Sequence, residues 1–453
     1  MISPSGCALD GIRGWRVTAP PGDLSELNLA ALLGRVMRLW DAGQHAAVLL
    51  DAAETALVGL PARLPAKERD RRSNAVLAVL RAAGWQVPRE LAPWMTLWAD
   101  GRPTISLGIH GWMDDRIGPL WDPDAGNMSY HLYRWTQLTG GCGAGTPGVA
   151  GISLLRDCWA ASYTPRWSPD SPLPGYLERC EGPYQWERQP GPAETVAPVW
   201  HTWDKQLAWL GAAGVTYLGV GPLVHSGTHA EPDPKTAGYW AVDQPTWNEQ
   251  RLPNPLGHRV DIEKRDRRIW IATPTLTRLR ELEQMGLTGP VRVHDSWTAK
   301  TSARVMRSWA SDLTGVIVRL SAERDLYLAD DDCQAARDAL ADVTRQLATA
   351  KAAYRQGIGL LGRAGTRVTR ADWRHQIIAM DRANRHRLLL AIGQAENKWP
   401  TRVNVDAVTY PCDTADPAVA CPAGIPLAGR DDRPGESIYS PRLYKWEKTE
   451  VTA

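Results

Sequence analysis

Two apolar stretches, VWHTWDKQLAWL from Val199 and RVNVDAVTY from Arg402, each read as extended and each carry one aspartate, Asp204 and Asp406. An acidic side chain between Val405 and Ala407–Val408 is disfavoured in a strand. A buried carboxylate is costly unless it is paired or holds a metal. Packing alone therefore accounts poorly for Asp406. Asp204 has a plainer alternative, as the N-cap of a helix starting at Lys205. Between the two, Ser321–Leu361 has the spacing of two long helices and Asp372–Asn397 that of a third. The order is strand with Asp, excursion, helical pair, helix, strand with Asp. It predicts one sheet shared by both ends of the second half, with the two acids on neighbouring strands.

The rest of the chain sets bounds. Its 453 residues are too many for one ordinary domain and suggest two or three. A formal net charge of +2 excludes a purely electrostatic nucleic-acid binder and leaves only local basic patches. Seven cysteines lie scattered with no Cys-x-x-Cys pair, and no His-Glu-x-x-His occurs, so zinc ligation is not indicated. Such cysteine usage fits a reducing compartment. The N-terminus has no apolar signal core, and no run approaches the ~18 apolar residues of a membrane span. A cytoplasmic, nucleoid-associated protein with no membrane partner is expected. The chain has 22 Trp and no Phe. Trp in place of Phe adds volume and an indole N–H that needs a partner, at a cost to stability.

Along the chain, residues 1–90 read as helical. Leu27–Leu60 carries a helical pair, and Ala75–Ala83 a third helix after the charged PAKERDRRSN. Residues 91–165 form a mixed region. A hairpin over Met95–Ile109 turns at Asp100–Gly101, followed by helices at Met128–Thr139 and Ile152–Ser162. Residues 166–198, rich in Pro, Gly, Ser and Glu, read as a linker. Strands are expected at Gly238–Val242 and Arg268–Thr273. A helix is expected at Pro274–Met285, capped by Thr273 or Thr275. A short strand pair is expected around Gly362–Arg370. The fold class is thus α/β in the α+β sense.

Three segments carry the chemistry together: Asp204 in VWHTWDKQLAWL, Lys351 in KAAYRQGIGLLG, and Asp406 in RVNVDAV. Lys351 alone reads as a solvated helix charge. Two carboxylates on adjacent strands can hold divalent ions roughly 3.5–4 Å apart, which stabilise attacking and leaving oxygens in nucleotidyl transfer. A lysine facing them can neutralise a triphosphate.

These segments resemble motifs A, B and C of the family B DNA polymerases. Asp204-Lys-Gln-Leu-Ala-Trp-Leu is similar to motif A, Asp-x-x-Ser-Leu-Tyr-Pro, without its Ser and Pro. The likeness implies that Asp204 binds both metals and that Trp209 stands at the steric gate, favouring dNTP over rNTP. Lys351 to Gly362 resembles motif B, Lys-x-x-x-Asn-Ser-x-Tyr-Gly, without its Asn and Ser. It implies triphosphate contacts by Lys351, with Tyr354 and Arg324 as further nucleotide contacts. Asn404-Val-Asp406-Ala-Val resembles motif C, Asp-Thr-Asp-Ser, with Asn404 for the first Asp and Asp406 as the metal ligand. The preceding helix, Ile377-Ile-Ala-Met-Asp-Arg382-Ala-Asn, is similar to that family's helix before motif C, where an Ala-x-x-Arg step recurs.

The resemblance implies a palm with an insertion over 199–314 and helical fingers over 315–365. It implies a palm segment with motif C over 366–412 and a reduced thumb over 413–453. Implied cofactors are two Mg²⁺ ions, and implied partners are a DNA template-primer and dNTP. A narrower likeness, over Trp240, His294-Asp-Ser-Trp297, Lys351–Gly362 and Trp373–Tyr410, is to telomere-associated proteins of actinobacterial linear replicons. Those act with a terminal protein whose hydroxyl primes synthesis. Candidate DNA contacts are Arg382 and Arg385, on a helix rich in Arg and His, and Tyr444 and Lys445 in the tail. A solvated helix face and a solvated terminus are the plainer readings.

Residues 91–165 stand where the family keeps its exonuclease. The one Asp-x-Glu, Asp261–Glu263, follows motif A and is out of order, and Asp51/Glu54 has the wrong spacing. A degenerate exonuclease-like or adaptor domain without proofreading is expected. The competing reading of the whole is a non-catalytic DNA-end-binding protein on a decayed polymerase fold. A regulator whose aspartates are only caps and core satisfiers is a third.

Overall fold

The computed structural model describes residues 29–30, 33, 46–99, 102–141, 143–158, 177, 180–229, 232–257, 268–329, 333–363, 369–429 and 438–451. The Asp100–Gly101 turn, Asp261–Glu263 and most of the Leu27–Trp40 helix lie outside them. The chain divides into two compact units, 1–157 with 319–357, and 158–318 with 358–453. The segment expected as fingers is therefore split, most of it grouping with the N-terminal residues.

In the first unit the elements are β1 (Ala46–Leu50), α1 (Ala52–Leu57), α2 (Glu68–Arg72), α3 (Ala75–Ala82), β2 (Trp94–Ala99), β3 (Arg102–Ile109), α4 (Ala125–Thr139) and α5 (Pro147–Asp157). The sheet order is β1-β3-β2, with β1 parallel to β3 and the β2/β3 hairpin antiparallel as expected. AAVLL, read as part of a helix, is a strand. A short run apolar on both faces fits either element, and here parallel pairing with β3 buries Val48, Leu49 and Leu50. Leu77 and Leu80 of α3 join this core beneath Leu97, Ile105 and Leu107. On α4, His131 Nδ1 lies 2.9 Å from Asp342, and Arg134 is paired with Glu323 at 2.7 Å. Gly151 on α5 meets the backbone of Ala353 so closely that a Cβ there would collide with the carbonyl.

The second unit comprises β4 (Gln185–Glu187), α6 (Pro192–Thr195), β5 (Val199–Lys205), α7 (Ala208–Val215), β6 (Leu218–Gly219), β7 (Leu223–His225), β8 (Gly238–Asp243), β9 (Arg268–Ala272), α8 (Thr273–Gln284), β10 (Val293–Ala299) and β11 (Ser302–Ala303). After these come α9 (Arg307–Ala329) and α10 (Gln334–Leu361), both of which run into the first unit. Then follow α11 (Ala371–Glu396), β12 (Arg402–Asn404), β13 (Ala407–Cys412), α12 (Pro417–Ala420) and β14 (Tyr444–Val451). Two antiparallel sheets dominate, β14-β5-β13-β12-β4 and β7-β10-β8-β9. The fold is mixed, antiparallel sheets with helices.

Helix α11 is packed by α7 and α8. It is buried over most of its circumference, which explains how so polar a sequence holds one conformation. Its charged groups are matched inside the protein. Arg382 pairs with Glu181 and donates to the Gly182 carbonyl at 2.7 Å, and Arg385 pairs with Asp381 at 2.7 Å. His386 Nδ1 accepts from Arg278 Nε at 3.1 Å. Burial, with Arg278 beside it, holds His386 far below its usual range and so neutral.

Three sequence expectations are corrected here. The stretch read as linker contributes the buried Glu181 and edge strand β4, both held by partners distant in sequence. The tail read as a reduced thumb ends in β14, which pairs with β5 along its length. Helix α8 has Ala272 at its N-cap with no side-chain cap. Thr273 instead accepts from Trp240 Nε1 at 3.0 Å, and Thr275 donates to Glu181 at 2.9 Å. The strand pair expected near Gly362–Arg370 falls largely outside the described residues. Among those described, no helix is long and apolar enough to cross a membrane.

Candidate active site

Strand β5 is buried from His201 to Trp203 and opens at its end, so Trp203 is fully buried in the core while the neighbouring Asp204, pointing to the other face, is only partly covered. The first helix residue after it is Ala208, with Leu207 at the N-cap. Asp204 is therefore not a helix cap, and its plainer sequence reading is removed. Strands β12 and β13 form a hairpin in which Asn404 pairs with Ala407. Asp406 thus sits in the two-residue turn, not inside a strand as expected. The sequence gives little warning, because Val-Asp lacks the Gly or Asn that marks such turns.

The register brings the two acids together. Asp204 pairs across the sheet with Ala407 on one side and Lys445 on the other. The Lys205 N–H donates to the Asp406 carbonyl at 3.1 Å, carrying the ladder into the turn. Lys445 Nζ is 4.0 Å from Asp204 Oδ2. Beyond Lys445 the register of β14 shifts between Trp446 and Lys448.

The electrostatics follow from this placement. Burial, and then the charge of Asp406, push the Asp204 carboxyl up to about 6, with Lys445 opposing. Burial raises Asp406 as well, against the pull of Arg385. The two carboxyl groups interact directly and take up and lose protons as a pair. Beneath them lies a second ionic group. Asp381 on α11 receives Arg385 at 2.7 Å and Lys205 at 3.4 Å. Burial opposes the charge of Arg385, but Asp381, Tyr444 and Asp406 outweigh it and push its pKa up. Burial lifts the Tyr444 hydroxyl to about 12.

The backbone is strained near both acids. Among the described residues, three that are not glycine have positive φ. Asn397 is a helix C-cap. The other two are Leu207 (φ 50°), three residues after Asp204, and Val405 (φ 52°), immediately before Asp406. Such positions cost roughly 1–3 kcal/mol each and concentrate at functional sites.

The remaining sequence candidates fall into three groups. Trp209 is half-buried on α7, in the same unit as the aspartates. Lys351, Tyr354 and Arg324 belong to the other unit. There Lys351 is half-buried and Tyr354 buried on α10, and Arg324 pairs with Asp325 at 2.8 Å. Arg382, Arg385 and Tyr444, read as DNA contacts, are buried, and the two arginines are held by internal carboxylates. That corrects their assignment, because a guanidinium in a buried ion pair cannot reach a DNA backbone without breaking the pair. Lys445 is exposed but stands beside Asp204. Asp381 and Lys205 were missed as site residues. The spacing of Asp381 and Arg385, four apart on one helix, was the available signal.

The donor chemistry suits a hard divalent ion. Two adjacent carboxylates that burial holds above the usual aspartate range form an electrostatic demand for a cation. Among the described residues no three His, Cys, Asp or Glu gather to hold an ion. Mg²⁺ is commonly held by one or two carboxylates, with substrate phosphates and water completing its shell.

No protein-family model matches the chain, and no curated protein sequence does. Three of the solved structures it resembles are of Phi29 DNA polymerase. The orthorhombic crystal form matches at TM-score 0.42 and 10% identity, over 71% of this chain and 56% of that one. The post-translocation binary complex with primer-template DNA matches at 0.42 and 9%, over 80% and 69%. The ternary complex with primer-template DNA and incoming nucleotide substrates matches at 0.43 and 10%, over 74% and 66%. The chain thus spans little more than half the length of the first of these, and likeness at this level assigns no residue a role.

Proposed function

We propose that this protein extends DNA on a template by metal-dependent nucleotidyl transfer, with Asp204 and Asp406 as the ligands of two Mg²⁺ ions. The observation that carries the reading is the carboxylate pair, set by strand register and with strained backbone near each acid. Its agreement with the motif A and motif C patterns supports it. When bound, the ions would stabilise the attacking and leaving oxygens.

The chain's own residues have separable tasks in this reading. Asp204 and Asp406 bind and orient the ions. The Asp381–Arg385–Lys205 group fixes the floor beneath them, and Lys445 balances the charge of Asp204 before a substrate arrives. Trp209 limits room at the nucleotide sugar and so favours dNTP. A terminal-protein hydroxyl as primer, and a place at the ends of actinobacterial linear replicons, are the finer proposals.

The test uses purified protein with primed template, dNTP and Mg²⁺. Extension is expected, with a drop of at least about 10³-fold in Asp406→Ala and in Asp204→Ala. Extension that survives Asp406→Ala would remove the reading.

A second reading, a DNA-end-binding protein without catalysis, is favoured by one observation. Lys445 already approaches Asp204, so the pair is partly neutralised by the protein itself. It predicts DNA binding that persists in the folded Asp204→Ala/Asp406→Ala double variant, with no extension by the wild type.

A further inference from the structure

A cleft of about 540 Å³ opens in the second unit, between β5, α7, the start of α9, α11 and the segment leading into β14. Its polar wall is made by Lys205, Arg307, Arg385, Arg442 and Tyr444, and no described residue lining it is acidic. Asp381 neutralises part of Lys205 and Arg385 from below. Arg307 and Arg442 are exposed and in no ion pair among the described residues. The positive charge is therefore in excess. Two deep groups are also incompletely satisfied. Arg385 and Tyr444 are almost wholly buried and interact with each other, yet among the described residues Arg385 Nε and Tyr444 Oη have no partner at normal hydrogen-bond length. Orphaned buried polar atoms cost about 1–3 kcal/mol each and call for an explanation. The opposite wall is apolar, with Leu210, Val215, Pro426 and Pro441.

From this we infer that the cleft binds the polyphosphate group of a small ligand, the charged end held by the exposed Arg307 and Arg442 and reaching in to Arg385 Nε, whose ion pair with Asp381 uses Nη2 and stays intact, and any organic body along the apolar wall. Planar guanidinium groups match phosphate oxygens in pairs, and several converging cations favour a multiply charged anion over a single carboxylate. The volume lies within the range of small-molecule sites. Asp204 and Asp406 do not themselves line the cleft, although Lys205 and Arg385 border both, and the inference does not rest on polymerase activity.

The test is calorimetric titration of the full chain in chelator-containing, metal-free buffer, with inorganic pyrophosphate, ADP and adenosine as probes. Pyrophosphate and ADP are expected to bind and adenosine not. Equal affinity for the first two would mark a free polyphosphate as the ligand, and tighter ADP binding a nucleotide. Arg307→Ala/Arg442→Ala, both exposed positions whose folding is checked by thermal melting, should weaken both by about tenfold or more. Should that variant not fold, Arg442→Glu alone carries the same expectation. Asp204→Asn/Asp406→Asn, which takes negative charge away from Arg385, should bind at least as tightly as the wild type. Absence of pyrophosphate and ADP binding, undiminished binding in the arginine variants, or loss of binding in the aspartate variant would overturn the inference.

Discussion

Asp204 is made a weaker acid by burial and by Asp406 beside it, and this has a thermodynamic consequence. Its folded pKa of about 6 lies above the 3.8 of an unfolded aspartate. A group raised on folding stabilises the fold only while it holds its proton, fully below about pH 4 and no longer above about pH 6. The wild type should therefore lose stability as pH rises across that window. Asp204→Asn should flatten the dependence. At pH 7 it should be the more stable protein by on the order of 1–2 kcal/mol, a figure reduced for the water that reaches this side chain. Urea unfolding at a series of pH values measures it, and a variant less stable than wild type at pH 7 would contradict the origin given for the shift. Saturating Mg²⁺ should raise wild-type stability and leave the variant unmoved. That the two acids form a pair was legible in the sequence, because each stands out chemically from an apolar run. That Lys205, Asp381 and Arg385 brace them was not, since a charged residue carries no mark of the partner it will meet.

Elements differ in how openly they announce themselves. Helices α3 and α4 and strand β2 follow from apolar spacing, because each buries one face and leaves the other at least partly open. AAVLL does not, being apolar on both faces. Strand β14 hid for the opposite reason: as an edge strand it exposes Lys445, Trp446, Glu447 and Lys448, the charged composition that guards a sheet edge and that reads as a solvated tail. The β12/β13 turn was concealed by Val405, a β-branched residue at φ 52° where Asn or Gly is normal. Val405 is only partly buried, so Val405→Asn gives up little packing while relieving the left-handed backbone. A gain of about 0.5–1 kcal/mol in unfolding free energy is expected. A loss of more than about 1 kcal/mol would mean that the Val405 side chain holds the turn.

Across the whole molecule the absence of Phe leaves indoles to fill space that a plain ring would fill elsewhere. Trp135, Trp203, Trp240 and Trp373 are all fully buried. They are not equivalent. Trp240 Nε1 donates to Thr273 at 3.0 Å, and Trp373 Nε1 to the Gly219 carbonyl at 2.9 Å. The indole N–H groups of Trp135, in the first unit, and Trp203, in the second, find no acceptor. Changing any of the four to Phe removes volume and leaves a small void. At Trp135 and Trp203 the same change also removes an orphaned donor, whose burial costs about 1–3 kcal/mol, so the two effects offset. At Trp240 and Trp373 it leaves a buried acceptor one donor short. Trp135→Phe and Trp203→Phe should stay within about 1 kcal/mol of wild type, and Trp240→Phe and Trp373→Phe should fall about 2–3 kcal/mol below it. Chemical unfolding of the four single variants decides the matter. If all four lose the same amount, ring volume alone governs these cores, and the unpaired indoles of both units cost the fold nothing.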